Sequence, residues 1–80
     1  IIMRIKIKYF GMIAEATAKS EEFIEVDDAI AIVDLKQLLI NKYKLASIES
    51  LQVAVNQELG YDGKLQAGDE LAFLPAFAGG

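Results

Sequence analysis

The chain has 80 residues and a mass of 8.8 kDa, the size of one small domain. Apolar residues make up 54% of it, enough for a hydrophobic core, and eight basic against twelve acidic residues give a net charge of −4. This acidic balance argues against nucleic-acid binding, which favours a basic surface. No apolar run approaches the roughly 18 residues that cross a bilayer, and no secretory leader pattern is present. We therefore expect a cytoplasmic protein that binds neither nucleic acid nor membrane.

Cysteine and histidine are both absent from the sequence. Their absence excludes a thiol nucleophile, a thiolate metal site and the usual general base near neutral pH. The acidic residues Asp27, Asp28 and Asp34 offer oxygen ligands for a hard cation, but their place around a helix start favours capping. We expect no metal site and no self-sufficient active site, so function should rest on the surface or the termini.

The N-terminal segment alternates apolar and polar residues, the pattern of a half-buried β-strand. Its inward side chains are predicted to be Ile5, Ile7 and Tyr9, and its outward ones Arg4, Lys6, Lys8 and Phe10. Beyond Gly11, residues 12–18 favour a short helix or turn, and residues 19–22 a polar loop. A second strand is predicted at residues 23–26, antiparallel to the first, with Ile24 and Val26 inward.

One amphipathic helix is predicted at residues 32–44, because apolar side chains recur there every three to four residues. The residues that share its inward face are Ile32, Leu35, Leu39 and Tyr43. Leu38 flanks that face. Asp27 or Asp28 is predicted to cap the helix and to oppose the positive end of its dipole.

Two further strands are predicted after the helix, at residues 52–56 and 70–74. Their inward residues are Val53, Val55, Leu71 and Phe73. The segment between them is rich in turn residues, with Leu65 as an isolated apolar anchor and a tight turn at Gly68. Pro75 ends the last strand because proline has no donor for a sheet ladder. The order strand, strand, helix, strand, strand predicts a two-layer α+β domain, a mixed sheet packed on one main helix.

Residues 76–80, Ala-Phe-Ala-Gly-Gly, are predicted to form a flexible tail after a domain that spans residues 1–75. Fully extended, five residues reach at most about 17 Å, and the last two carry no side chains. Such a tip fits a narrow tunnel in a partner's active site, where adenylation by ATP activates a terminal carboxylate away from water. A lone diglycine is also typical of a frayed terminus, so the motif needs support from the rest of the chain.

The strand alternation also predicts an exposed apolar surface on the sheet face opposite the helix. Phe10 and Leu74 point outward, the small residues Ala54 and Ala72 leave that face flat, and Leu59 lies at its rim. An apolar and flat area of this kind is typical of a docking surface. Two alternatives are that Phe10 covers a strand end and that Leu59 fills a minor core beneath the long loop.

Three stretches carry a family resemblance: Val-Ala-Val-Asn-Gln at 53–57, Gly-Asp-Glu-Leu-Ala-Phe-Leu-Pro at 68–75, and the closing Gly79-Gly80. Together they resemble the family of molybdopterin synthase small subunits, and Tyr-Phe-Gly at 9–11 is similar to the end of that family's first strand. The resemblance runs from Met3 through the whole chain. It implies a ubiquitin-like β-grasp fold, with a mixed sheet of four to five strands, in a non-catalytic carrier of sulfur.

The resemblance also implies a reaction cycle in which the carrier itself binds no cofactor. An adenylating enzyme related to ubiquitin-activating enzymes uses ATP to activate the carboxyl group of Gly80, next to Gly79, and a sulfur donor converts it to a thiocarboxylate. The large subunit of molybdopterin synthase accepts the tail, in a heterotetramer, and sulfur passes to cyclic pyranopterin monophosphate. The residues that match the family's partner-binding positions are Phe10, Leu59, Leu74, Pro75 and Phe77.

Two positions depart from the family pattern. Ala76 follows Pro75 where a second proline is usual, which makes the tail less stiff and raises its ordering cost on docking. Ala14 stands where the family commonly has an arginine. The alternatives that stay open are a thiamine-type sulfur carrier, a ubiquitin-like modifier that joins Gly80 to a protein lysine, and an interaction domain with an inert tail. The first two differ from a molybdopterin carrier in the molecule that accepts the sulfur or the Gly80 carboxyl group. The last predicts that Gly80 is not adenylated.

Overall fold

The structure, a computed structural model, describes residues 1–47 and 51–75. Over these residues the strands are β1 (Ile2–Tyr9), β2 (Glu21–Asp27), β3 (Gln52–Val55), β4 (Glu58–Leu59) and β5 (Glu70–Leu74). The helices are α1 (Met12–Thr17) and α2 (Ile32–Tyr43), followed by a 3₁₀ turn at Leu45–Ser47. The two-layer α+β class predicted from the sequence is confirmed.

β5 lies at the centre of a five-stranded sheet whose order is β2-β1-β5-β3-β4. It runs parallel to β1 and antiparallel to β3. The outer pairs, β1 with β2 and β3 with β4, are antiparallel. Because β5 joins the first hairpin to the second, the residue that follows it leaves from the middle of the sheet.

The core lies between α2 and one face of the sheet. The predicted inward residues that are buried there are Ile5, Ile7, Tyr9, Val26, Leu35, Leu39, Val55, Leu65, Leu71 and Phe73. Those that pack against this core while partly buried are Ile24, Ile32, Tyr43 and Val53. Leu38 is exposed on the flank of α2. The periods of two and about 3.6 residues therefore assign the faces of the strands and of the helix correctly.

The start of α2 differs from the prediction. Its N-cap residue is Ala31, and no side chain caps the helix. Asp27 lies five positions before the first helical residue, and its Oδ1 accepts a hydrogen bond from the N–H of Ala29 at 2.8 Å. Asp28 lies 3.9 Å from the N-terminal amine. The capping prediction is wrong because the Asp27 carboxylate closes the turn after β2 and Asp28 faces the chain's amino terminus.

Two elements of the sheet extend beyond the prediction. β2 begins at Glu21, which pairs with Lys8, so the predicted loop is two residues shorter. β4 is an additional strand that returns along β3 through a turn at Asn56 and Gln57, whose φ values are 49° and 72°. Two consecutive positive φ angles are typical of a type I′ hairpin turn, where glycine is usual at the second position. Glutamine at that position weakens the hairpin signal in the sequence.

Candidate docking surface and tail base

The sheet face opposite α2 carries a row of three apolar residues. Ala72 of β5 pairs with Ala54 of β3, and Ala54 pairs in turn with Leu59 of β4. Directly opposed residues on neighbouring strands share a face. Leu59 is 57% exposed, so it does not fill a minor core. Ala54 is only 5% exposed.

A second apolar row lies next to the first, at the end of β5. Leu74 pairs with Gln52 of β3, while on its other side the N–H of Phe10 donates to the carbonyl of Phe73 at 3.1 Å. Phe10 is 42% exposed, in agreement with its predicted outward direction. We call the residues of both rows the apolar patch: Phe10, Ala54, Leu59, Ala72 and Leu74.

The base of the predicted tail lies beside this patch. Pro75 follows Leu74 directly, is half-buried and is the last residue that the structure describes. Its ring lies against the turn after β1, since a Cβ atom built on Gly11 would be 3.4 Å from Pro75 Cγ. The predicted tail at 76–80, with Phe77, Gly79 and Gly80, lies outside the described residues. The structure thus brings Phe10, Leu74 and Pro75 together at one end of the sheet.

The other half of the same face is charged. Lys6 forms an ion pair with Glu21 at 3.5 Å, and Lys8 forms one with Glu70 at 3.7 Å. Such surface pairs contribute little to stability. Phe23 of β2 is 55% exposed, and the guanidinium of Arg4 lies 4.4 Å from its ring centroid. Phe23 is therefore an exposed phenylalanine on the same face but outside the apolar patch, next to charged side chains.

A cluster of polar groups on the helix side ties the end of β1 to β2 and α2. The Glu22 carboxylate accepts hydrogen bonds from the Tyr9 hydroxyl at 2.5 Å and from the Tyr43 hydroxyl at 2.6 Å. Lys19 Nζ donates to Glu22 Oε1 at 3.3 Å and to the Tyr43 hydroxyl at 3.1 Å. The hydrogen bond from Tyr9 to Glu22 fixes the residue before Phe10, and so supports the edge of the apolar patch.

The charges of this cluster shift the pKa values of its members. Burial raises the pKa of the Glu22 carboxyl, but hydrogen bonds from Tyr43, Tyr9 and Lys19 together outweigh it and hold that pKa below its ordinary range. Burial, together with the neighbouring Glu22 carboxylate, raises the pKa of the Tyr9 hydroxyl. Sequence reasoning missed the cluster. The signal was present, because Glu22 alternates with Ile24 and Val26 and so points inward, but the strand was predicted to begin at Phe23 and not at Glu21.

Removing the central carboxylate should destabilise the domain in a pH-dependent way. Glu22→Ala leaves the buried Tyr9 hydroxyl without its acceptor, so we expect the free energy of unfolding at neutral pH to fall by about 1–3 kcal/mol. Because the folded-state pKa of Glu22 is depressed, its contribution is present above its unfolded value of about 4.3 and is lost as the pH falls through the folded value. Urea denaturation at several pH values measures the free energy of unfolding. The difference in this free energy between wild type and variant should become smaller in acid.

Glu25→Ala provides the matched control for this prediction. Glu25 lies on the same strand, is exposed and belongs to the opposite face. Its replacement should change stability by no more than about 0.5 kcal/mol. The role of the Glu22 cluster would be contradicted if both variants lost the same free energy of unfolding. It would also be contradicted if the difference between wild type and Glu22→Ala did not depend on pH.

Across 1–47 and 51–75, no three acidic residues come together as ligands for a metal ion. Neither α1 nor α2 has the length and apolar character needed to cross a membrane. The described surface offers the apolar patch and, next to it, Pro75, the last described residue.

A mixed five-stranded sheet packed against one main helix, in the order β2-β1-β5-β3-β4, defines the ubiquitin-like β-grasp class. Within that class, the sequence profile of the ThiS family matches residues 7–80. The chain belongs to the ThiS family. The predicted membership of a ubiquitin-like carrier family is therefore confirmed.

Individual relatives support the same placement. The molybdopterin synthase sulfur carrier subunit of Mycobacterium tuberculosis is 32% identical over 83 residues, which covers 99% of this chain and all of the relative. A complex of subunits 1 and 2 of molybdopterin-converting factor from Helicobacter pylori contains a chain with a TM-score of 0.70 and 26% identity, covering 98% of this chain and 100% of that one. SAMP1 from Haloferax volcanii has a TM-score of 0.78 at 24% identity, over 96% and 99% of the two chains, and shares the fold.

Proposed function

We propose that this chain is the sulfur-carrier subunit of a molybdopterin synthase, and that the carboxyl group of Gly80 carries the sulfur as a thiocarboxylate. The observation that carries the proposal is the match to the Mycobacterium tuberculosis carrier subunit over the full length of both chains. The lack of cysteine and histidine supports it, because a carrier that loads sulfur on its terminus needs no side-chain thiol or base.

The proposed loading takes place in an adenylating enzyme of the ubiquitin-activating type. A carboxylate oxygen of Gly80 attacks the α-phosphate of ATP and releases pyrophosphate. A sulfur donor then displaces AMP, which leaves a thiocarboxylate in place of the carboxylate. Gly79 and Gly80 add no side chains to the tip, so a narrow site can enclose the reactive anhydride and exclude water. ATP is consumed by the activating enzyme, and the carrier holds no cofactor.

The large synthase subunit is the proposed recipient of the loaded tail. The chain from Helicobacter pylori that resembles this one was solved together with subunit 2 of its converting factor. We assign the contact on this chain to Phe10, Leu59 and Leu74 of the apolar patch, with Pro75 and Phe77 at the start of the inserted tail. Two carriers and two large subunits would form the heterotetramer, and sulfur would pass to cyclic pyranopterin monophosphate.

The test is an intact mass spectrum after incubation with ATP, the adenylating enzyme and a sulfur donor. We expect a mass gain equal to the exchange of one oxygen for one sulfur, which fragmentation places on Gly80. A carrier of known competence, loaded in parallel, controls for the enzyme and the donor. An unchanged mass beside a loaded control would contradict the proposal and favour an interaction domain with an inert tail.

The alternatives are separated by the acceptor of the loaded chain. Its fold is shared with SAMP1, a protein described as a small archaeal modifier, and a modifier would form an isopeptide bond between Gly80 and a protein lysine. A thiamine-type carrier would transfer sulfur to a thiazole precursor. Offered the large subunit with cyclic pyranopterin monophosphate, the loaded chain should lose its sulfur to the pterin. Transfer only to the thiazole precursor, or only to lysine, would favour the corresponding alternative.

A further inference from the structure

The turn that follows β1 requires glycine at position 11. Gly11 has φ 55° and ψ −133°, and the N–H of Ile13 donates to the carbonyl of Phe10 at 3.1 Å. Residues 10–13 therefore close a β-turn in which Gly11 occupies the first central position. These dihedral angles match the first central position of a type II′ turn, where a Cβ atom is strained and glycine dominates.

The base of the tail lies against the same residue. A Cβ atom on Gly11 would lie 3.4 Å from Cγ and 3.9 Å from Cδ of Pro75, so the proline ring occupies the space beside the glycine. The hydrogen bond from the Phe10 N–H to the Phe73 carbonyl holds the same turn against the end of β5. The turn thus lies against the Pro75 ring, where the described chain ends.

We propose that Gly11 is a positioning residue for sulfur loading: by seating Pro75, it sets the direction in which the tail leaves the domain. This inference rests on the proposed carrier function. With the apolar patch docked on a partner, the position of the Gly80 carboxyl depends on the angle at the tail's base. If the partner's narrow site holds the five tail residues fully extended, over at most about 17 Å, a rotation of about 4° at Pro75 moves the tip by about 1 Å. A displacement of that size can lower a reaction rate by about 100-fold.

Gly11→Ala tests the inference, with Gly60→Ala as the matched control. Gly60 also has a positive φ, 76°, but a Cβ atom there meets nothing within 4 Å. Both variants therefore strain a turn with a positive φ, but only the turn at Gly11 lies in van der Waals contact with Pro75. In steady-state loading by the adenylating enzyme, Gly11→Ala should lower kcat by about 10- to 100-fold while KM for the carrier stays within about threefold of wild type. Gly60→Ala should keep kcat within about twofold of wild type.

Pro75→Ala removes the other half of the contact without straining the turn, and it serves if Gly11→Ala fails to fold. We expect it to lower kcat by about tenfold with KM unchanged, because the patch still docks while the base of the tail is no longer seated. If Gly11→Ala and Pro75→Ala load no more slowly than Gly60→Ala, or if only KM changes, the positioning role is overturned while carrier function stands. A wild-type chain that gains no sulfur would overturn both.

Discussion

Appending one alanine after Gly80 is expected to reduce thiocarboxylate formation by at least about 100-fold while the domain remains folded. The added residue moves the terminal carboxyl group by up to about 3.5 Å and puts a methyl group on a tip that otherwise has no side chains. A misplacement of only 1 Å can lower a reaction rate by about 100-fold, so the extended tail should not present its carboxylate to ATP. Intact mass spectrometry measures the loaded fraction over time.

One alanine added before Ile1 is the matched control for that experiment. Ile1 is 93% exposed, and we expect its extension to load at the wild-type rate. Thermal unfolding of both extended proteins should coincide with that of wild type, which separates chemistry at the tail from loss of fold. A chain extended after Gly80 that still gains sulfur at the wild-type rate would show that Gly80 does not carry it.

Phe10→Ala is expected to weaken binding of the large synthase subunit by at least about 2 kcal/mol, close to 30-fold in Kd. The N–H of Phe10 bonds to the carbonyl of Phe73, close to the tail base, and aromatic side chains at the centre of an interface commonly dominate its binding energy. Because the ring is 42% exposed in the free domain, its removal should cost less than about 1 kcal/mol of folding stability. Calorimetric titration and urea denaturation measure the two quantities.

Phe23→Ala controls for the loss of any exposed phenyl ring from this sheet face. Phe23 is 55% exposed and lies near Arg4, on the edge strand β2, outside the apolar patch. Its replacement should leave Kd within about twofold of wild type. The assignment of Phe10 to the interface fails if both variants bind alike. It also fails if Phe10→Ala destabilises folding by about 3–5 kcal/mol, as deletion of a core phenylalanine does.

Family membership and the faces of the long elements were predictable from the sequence. The alternation in β1 separates buried Ile5 and Ile7 from the outward charges, and the period of α2 places Leu35 and Leu39 in the core. Burial of apolar side chains is the largest favourable term in folding, and it requires apolar residues to recur with the period of the strand or helix. These periods can therefore be read from the sequence. The outward direction of Phe10 follows from the same alternation, whereas the exposure of Leu59 was one of two alternatives that the sequence left open.

Short elements and side-chain partners were less predictable. β4 has only two residues and turns through Gln57, a residue without a turn signal. Asp27 precedes a helix and has the chemistry of a cap, yet it bonds to the N–H of Ala29 instead. Hydrogen bonds of this kind depend on distances of about 3 Å, and local sequence offers several partners of nearly equal energy.

The sequence by itself determined the α+β class and the outward direction of Phe10, because periodicity is a local property of a chain, and its motifs carried the resemblance to the β-grasp carrier family. Only the tertiary structure decided that Glu22 joins Tyr9 to Tyr43 and that Gly11 faces Pro75. These groups are separated along the chain, and they meet because β1 pairs with both β2 and β5 and because α2 packs on the sheet. Such contacts depend on which strands pair with each other, and the periodicity of a single sequence does not show this pairing.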